Sequence, residues 1–338
     1  MLPFKLVYSN GYYLPIGAHV FPAQKYRNIH QRLLETGVAE SSDFLEPSAA
    51  SDEDVLLVHT REYVHKLKTG TLSPREELQM EVPYSPELVR AFYLAAGGSI
   101  LAGQSALKDK VAFNIGGGFH HAFPDHGEGF CVIHDVAVAI RRLQRDQKIV
   151  RAMTVDCDVH QGNGTAAIFS GMHEARDPLP SNASVVAGHA NLPSPIGEVF
   201  TISLHQENNY PMWKPPSSID VNLPDGTGDD DYLAWLDNAL SSGLRQFEPE
   251  LICYIAGADP YREDQLGGLA LSIKGLKRRD ELMFRVARTR EIPVMVTFAG
   301  GYARRVEDTV TIHCNTVIAA KEVFGADSVG RSTIVPAC

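Results

Sequence analysis

Asp156, Asp158 and His160, in the run VDCDVHQGNG, place two carboxylates and an imidazole at alternate positions. On a strand, residues two apart point to the same face. A buried row of such groups is costly unless it meets a counter-charge. Asp259, after the apolar run LICYIAG, offers a further carboxylate from another part of the chain. Asp158, His160 and Asp259 then form a three-ligand N/O set with a position left for water, the pattern of catalytic rather than structural zinc. The triplet alone reads equally well as solvated carboxylates at a strand end; Asp259 and the neighbouring loops favour the metal. His120 and His121 follow Gly116, Gly117 and Gly118, which let the backbone turn sharply close to a ligand. Paired imidazoles beside a metal can take and deliver protons near neutral pH, although an isolated His-His pair is more often bonded to backbone. Tyr302, after Gly300 and Gly301, could donate to a developing oxyanion. Phe130 and Tyr210 could line a channel, and His126 and His134 read as structural or exposed.

These residues lie in the last positions of, or after, apolar runs: 111–115, 152–159, 199–205, 251–257 and 292–300, with a further run at 54–59. Helical patterns lie near 86–108, 135–146, 163–171, 231–247, 275–290 and 304–323. The alternation predicts an α/β fold, a single domain spanning 1–338 with a central, mostly parallel sheet between helices. Such sheets collect their sites at the carboxyl ends of strands. Residues 172–198, rich in Pro, Ser, Asn and Ala, read as a long loop insertion on the opposite face, with a structural or oligomer-contact role.

The composition narrows the function. A net charge of −10 argues against a nucleic-acid surface and suits a cationic substrate such as a lysine side chain or a polyamine. The sequence contains no apolar run of about 18 residues, so no segment is expected to span a membrane. The N-terminus lacks signal-peptide features. Five scattered cysteines without a CxxC predict reduced thiols and a cytoplasmic setting.

GGGFHHAFPDHGEGFCVIHDVAVAI, VDCDVHQGNGT, the SLH strand end, GADPYREDQLGGLALS and AGGYA, in this order, resemble the histone deacetylase family. LGGLALSIKGLKRRDELMF and HQGNGT look like its class IV branch and bacterial relatives. The resemblance implies an arginase/deacetylase-like α/β/α sandwich. It also implies one Zn2+ on Asp158, His160 and Asp259, proton-handling His120 and His121, and Tyr302 as oxyanion donor. Gly129 and Phe130 would sit at an acyl-lysine tunnel with Tyr210 opposite. Asp156 would orient His120. A structural K+ site would use Asp156, Asp158, His160, Ser203 and Leu204. The implied activity is removal of acyl groups, acetyl or longer, from lysine side chains or small acylated amines. Asn163 stands where many class I members carry an aspartate behind the second histidine, so His121 should be less basic than His120. An acidic rim residue is not evident around EVPYSPE (81–87). Two rivals remain: a dinuclear manganese ureohydrolase, which needs more aspartates than GADP supplies, and a non-catalytic acyl-lysine binder, which needs neither the histidine pair nor Tyr302.

Overall fold

The computed structural model describes residues 1–170 and 197–325. Its strands are β1 (Lys5–Val7), β2 (Phe44–Leu45), β3 (Val111–Asn114), β4 (Arg151–Asp156), β5 (Glu198–Gln206), β6 (Ile219–Leu223), β7 (Leu251–Ile255) and β8 (Val294–Thr297). They form one open sheet in the order β2-β1-β3-β8-β7-β4-β5-β6. Every pairing is parallel. The central strands β3, β7 and β8 are buried at every residue, as expected where helices cover both faces.

Those helices fall into two groups. α5 (Pro86–Asp109) packs with α6 (Asp135–Arg145), while α10 (Val306–Phe324) packs with α1 (Lys25–Glu35) and α9 (Ile273–Thr289), which in turn meets α8 (Asp229–Gln246). The start of α5 is written locally. The Ser85 hydroxyl accepts from the Leu88 N–H and Pro86 occupies the first turn, the cap and pre-set φ that helix N-termini favour. The short helix α7 (Asn163–Ser170) follows the β4 loop.

The run at 54–59 is not a strand. Ser51 and Asp54 form a capping box and three acidic residues fill the first turn of α2 (Asp52–Val55); this N-terminal chemistry overrides the apolar composition. The periodicity also misses β1, β2 and β6, whose length or half-exposure leaves little pattern. α1 is missed too, as are the short helices α3 (Arg61–Thr69) and α4 (Pro74–Met80). Except for Gly197 and Glu198, where β5 begins, the expected 172–198 insertion lies outside the described residues.

Candidate active site

The loops that leave β3, β4, β5, β7 and β8 at their carboxyl ends bring the singled-out residues together, at the place where open parallel sheets put ligands. β4 stops at Asp156, so Asp158 and His160 do not share a face through strand alternation. Hydrogen bonds place them instead. Asp156 Oδ1 accepts from the Asp158 N–H (3.1 Å), Asp158 Oδ1 from the His160 N–H (3.0 Å), and Asp158 Oδ2 from the Gly300 N–H (2.7 Å). Asp259 Oδ1 accepts from the Val159 N–H at 2.8 Å, which ties the β7 loop to the β4 loop.

Asp158, His160 and Asp259 are buried, with donor atoms all within 4.8 Å of one another. His160 Nδ1 lies 3.1 Å from Asp158 Oδ1 and 3.4 Å from Asp259 Oδ2. Two atoms each about 2.1 Å from a shared ion at the tetrahedral angle would be about 3.4 Å apart, so the spacing suits one small cation. Asp259 Oδ2 is buried and lacks a hydrogen bond. Burial opposes charge on His160, but Asp158 and Asp259 raise its pKa to about 10. Burial and the Asp158 charge raise Asp259 to about 7. The cluster thus calls for positive charge at its centre, and its hard oxygens and imidazole fit a divalent metal.

The two histidines beside it differ in basicity. Burial lowers both, but Asp156, 2.7 Å from His120 Nδ1, and Asp158 outweigh it and raise His120 to about 9. His121 is pushed well below its ordinary value by burial, with His120 and His160 adding to the effect. Its Nδ1 meets Asn163 Oδ1 at 2.7 Å, and Asn163 Nδ2 donates to Glu128 Oε1 at 2.6 Å. A carboxylate only accepts, so the amide oxygen faces the imidazole and Nδ1 carries the proton. That leaves the lone pair of His121 on Nε2. The expected order of basicity therefore holds in the structure.

His121, Gly129, Phe130, His160, Tyr210 and Tyr302 line a cavity of about 220 Å3. Gly129 and Phe130 are both left-handed, with φ of 53° and 67°. At Gly129 a Cβ would come within 2.9 Å of His121 and 3.0 Å of Tyr210, closing the space between them. Phe130, a costly residue for this conformation, is held by its N–H to the Met80 carbonyl (2.9 Å), and its ring faces Tyr302 at 5.9 Å. Ser203 lies next to Asp156 in register, but its Oγ bonds His205 Nδ1 at 3.0 Å; Leu204 is buried on the same strand.

Four residues escape the sequence reading. Asp135, the first residue of α6, accepts from the Gly118 and Phe119 N–H groups and so fixes the loop carrying His120. Asp264 accepts from the Tyr302 N–H at 2.7 Å. Both lie inside quoted motifs, but an internal carboxylate shows no role until its partners are known. Glu81, contrary to expectation, supplies an acidic group at the cavity mouth. It sits at the left-handed end of α4 (φ 58°), and burial followed by the Glu128 charge raises its pKa. Glu128 is the fourth. His134 is fully buried and caps α6, while His126 contacts Asp125 and Glu128. A larger groove of about 620 Å3, lined by Leu67, Tyr84, Val89 and Tyr93 among others, is remote from this chemistry; its Lys68 and Arg90 pair with Asp52 and Glu87.

A parallel α/β sheet carrying a buried Asp-His-Asp donor set beside a histidine pair, with His121, His160 and Tyr302 on a cavity wall, defines a deacetylase-type hydrolase fold. The histone deacetylase domain model matches residues 19–317, and the chain belongs to the histone deacetylase family. It is 38% identical over 322 residues to an uncharacterized protein of Picosynechococcus sp., covering 95% of this chain and 99% of that one. It is 32% identical to histone deacetylase 2 of Arabidopsis thaliana, covering 90% and 77%. An HDAC homolog from Aquifex aeolicus superposes with a TM-score of 0.73 at 25% identity, over 95% of this chain and 84% of that one. No described helix is long and apolar enough to cross a membrane, and the four described cysteines are free and buried; Cys338 lies outside the described residues.

Proposed function

We propose that the protein is a zinc-dependent amidohydrolase that removes acyl groups, acetyl or longer, from lysine side chains or small acylated amines. The observation that carries this reading is the buried Asp158, His160 and Asp259 cluster with His120 Nε2 3.7 Å from Asp158 Oδ1 and His120 packed on His121, while His121, His160 and Tyr302 line one cavity. A zinc ion on the three donors supplies Lewis-acid polarisation of the acyl carbonyl and acidifies water. His121, neutral with its lone pair on Nε2, takes a proton from water and passes it to the leaving amine. His120, charged against Asp156, stabilises the negative charge that develops. The Tyr302 hydroxyl donates to the oxyanion. Gly129, Phe130 and Tyr210 hold the acyl-bearing chain.

The class IV-like placement rests on LGGLALSIKGLKRRDELMF and HQGNGT, and a K+ at Asp156, Asp158, His160, Ser203 and Leu204 rests on the family resemblance alone. The test is hydrolysis of acyl-lysine peptides from acetyl to myristoyl, and of acetylpolyamines, with and without a zinc chelator. Chelator-sensitive turnover restored by zinc is expected. Two manganese ions per chain, or one zinc with no turnover of any substrate, would defeat the proposal in favour of the ureohydrolase or the binder.

Gly300 gives a structural check on the metal. A Cβ there would overlap Asp259 Oδ2 and lie 2.6 Å from Asp158 Oδ2. Gly300→Ala is expected to lose zinc, whereas Gly228→Ala, with nothing within 4 Å of its Cβ, keeps it. Metal content by plasma mass spectrometry decides; a zinc-replete Gly300→Ala protein contradicts the ligand assignment.

A further inference from the structure

We infer that Glu128 is a positioning residue for the reaction: one carboxylate holds both the amide behind His121 and the tyrosine hydroxyl in the tunnel wall. This rests on the deacylase reading and assigns a role to a residue outside the metal and histidine sets. Oε1 accepts from Asn163 Nδ2 at 2.6 Å and from the Tyr210 hydroxyl at 3.0 Å. Oε2 accepts from Gln79 Nε2 at 3.1 Å and lies 3.5 Å from His126 Nε2. Burial raises the carboxyl pKa, yet these partners outweigh it and hold Glu128 below its ordinary value. The bonds are therefore charge-assisted, shorter and stronger than neutral ones.

The geometry makes the two functions depend on one group. With Nδ2 committed to the carboxylate, Asn163 must present Oδ1 to His121, an orientation the Gly164 N–H also supports at 3.0 Å. Tyr210 stands edge-on to His121, ring centres 5.0 Å apart, so the same carboxylate sets the wall against which the histidine works. Its own backbone is pinned: the Glu128 N–H donates to the Cys131 carbonyl and the Cys131 N–H to the Glu128 carbonyl, both at 2.9 Å. Gly129 follows, where any Cβ would press on both His121 and Tyr210. A neutral amide behind His121 thus has an anion behind it in turn. The competing explanation is that Glu128 merely tethers α4 through Gln79, which would affect stability alone.

A charge-swap cycle separates the two. Asn163→Asp sets two carboxylates in hydrogen-bond contact, and like charges this close cannot both ionise. Its kcat is expected to fall about tenfold or more, as when groups that orient active-site residues are altered. In Glu128→Gln/Asn163→Asp the amide and carboxylate trade places, the hydrogen bond runs the other way, and kcat recovers most of the loss. Glu128→Ala should lower kcat and raise KM, each by about tenfold, as His121 and Tyr210 lose their common anchor. All variants are assayed on the best acyl substrate with melting temperatures recorded alongside. With Glu128→Gln alone completing the cycle, additivity of the two single effects overturns the proposal, as does Glu128→Ala with unaltered kcat and KM. Should Glu128→Ala not fold, the cycle alone decides. Wild-type protein inert on every acyl substrate defeats the deacylase reading and this proposal with it, whereas an active wild type with an additive cycle defeats this proposal alone.

Discussion

Asp259→Ala is expected to yield a folded protein that no longer holds stoichiometric zinc and whose amide hydrolysis falls to background. Two donors, Asp158 and His160, remain, too few for the catalytic pattern of three protein ligands and an open position. The substitution also frees the Val159 N–H, which Asp259 Oδ1 accepts at 2.8 Å. An unsatisfied buried donor costs about 1–3 kcal/mol. Against that cost stands the removal of a carboxylate crowded against Asp158, so the fold should survive. The discriminating measurement is thermal unfolding with and without added zinc. A ligand that binds only the folded state at about 100 times its Kd contributes about 2.7 kcal/mol, so wild-type protein melts higher with zinc and the variant does not. A variant that retains one zinc per chain removes Asp259 from the ligand set.

The second large effect is confined to chemistry. Tyr302→Phe should keep zinc and fold while turnover falls about 100- to 1,000-fold, the loss of about 2.7–4 kcal/mol typical of one oxyanion donor. The ring packs among Phe21, Phe130 and His160, with centroids 6.1, 5.9 and 6.3 Å away. Phenylalanine preserves those contacts, so only the hydroxyl is subtracted. Burial, with Asp158 and Asp259 nearby, holds the phenol well above its ordinary value. It therefore stays protonated and able to donate at any working pH. The check is kcat at saturating substrate with metal content measured on the same sample. Near-normal kcat would mean that Tyr302 is only a wall residue.

Both experiments concern residues recognisable in the chain itself. Apolar runs ending in DCDVH, AGAD and AGGYA mark buried parallel strands with polar termini, because strands covered on both faces must be continuously apolar. Parallel topology then gathers those termini at one edge of the sheet. Hence the α/β class and the nearness of Asp158, His160, Asp259, His120, His121 and Tyr302 follow from local patterns. The weaker basicity of His121 is expected from the family resemblance, which puts Asn163 behind it; in the structure burial is its main cause, with His120 and His160 adding to it.

Where a position depends on groups distant in sequence, local pattern fails. The run at 54–59 looks apolar enough for a strand, but the Ser51–Asp54 capping box makes its start helical. Asp158 and His160 are placed by hydrogen bonds to loops, including Gly300, 142 residues away in sequence from Asp158, and not by the strand alternation their spacing suggests. Glu81 reaches the cavity mouth only because α4 ends in a left-handed turn beside it. Glu128 reads as one more charge in HGEGFC until folding brings Asn163 and Tyr210 to the same oxygen. The sequence by itself determined that Asp158, His160, Asp259, His120, His121 and Tyr302 should gather, because each lies at or beyond the carboxyl end of a buried parallel strand. Only the tertiary structure decided which atoms face one another and how each proton is held, because hydrogen bonds and burial between remote segments set those positions and shift those pKa values.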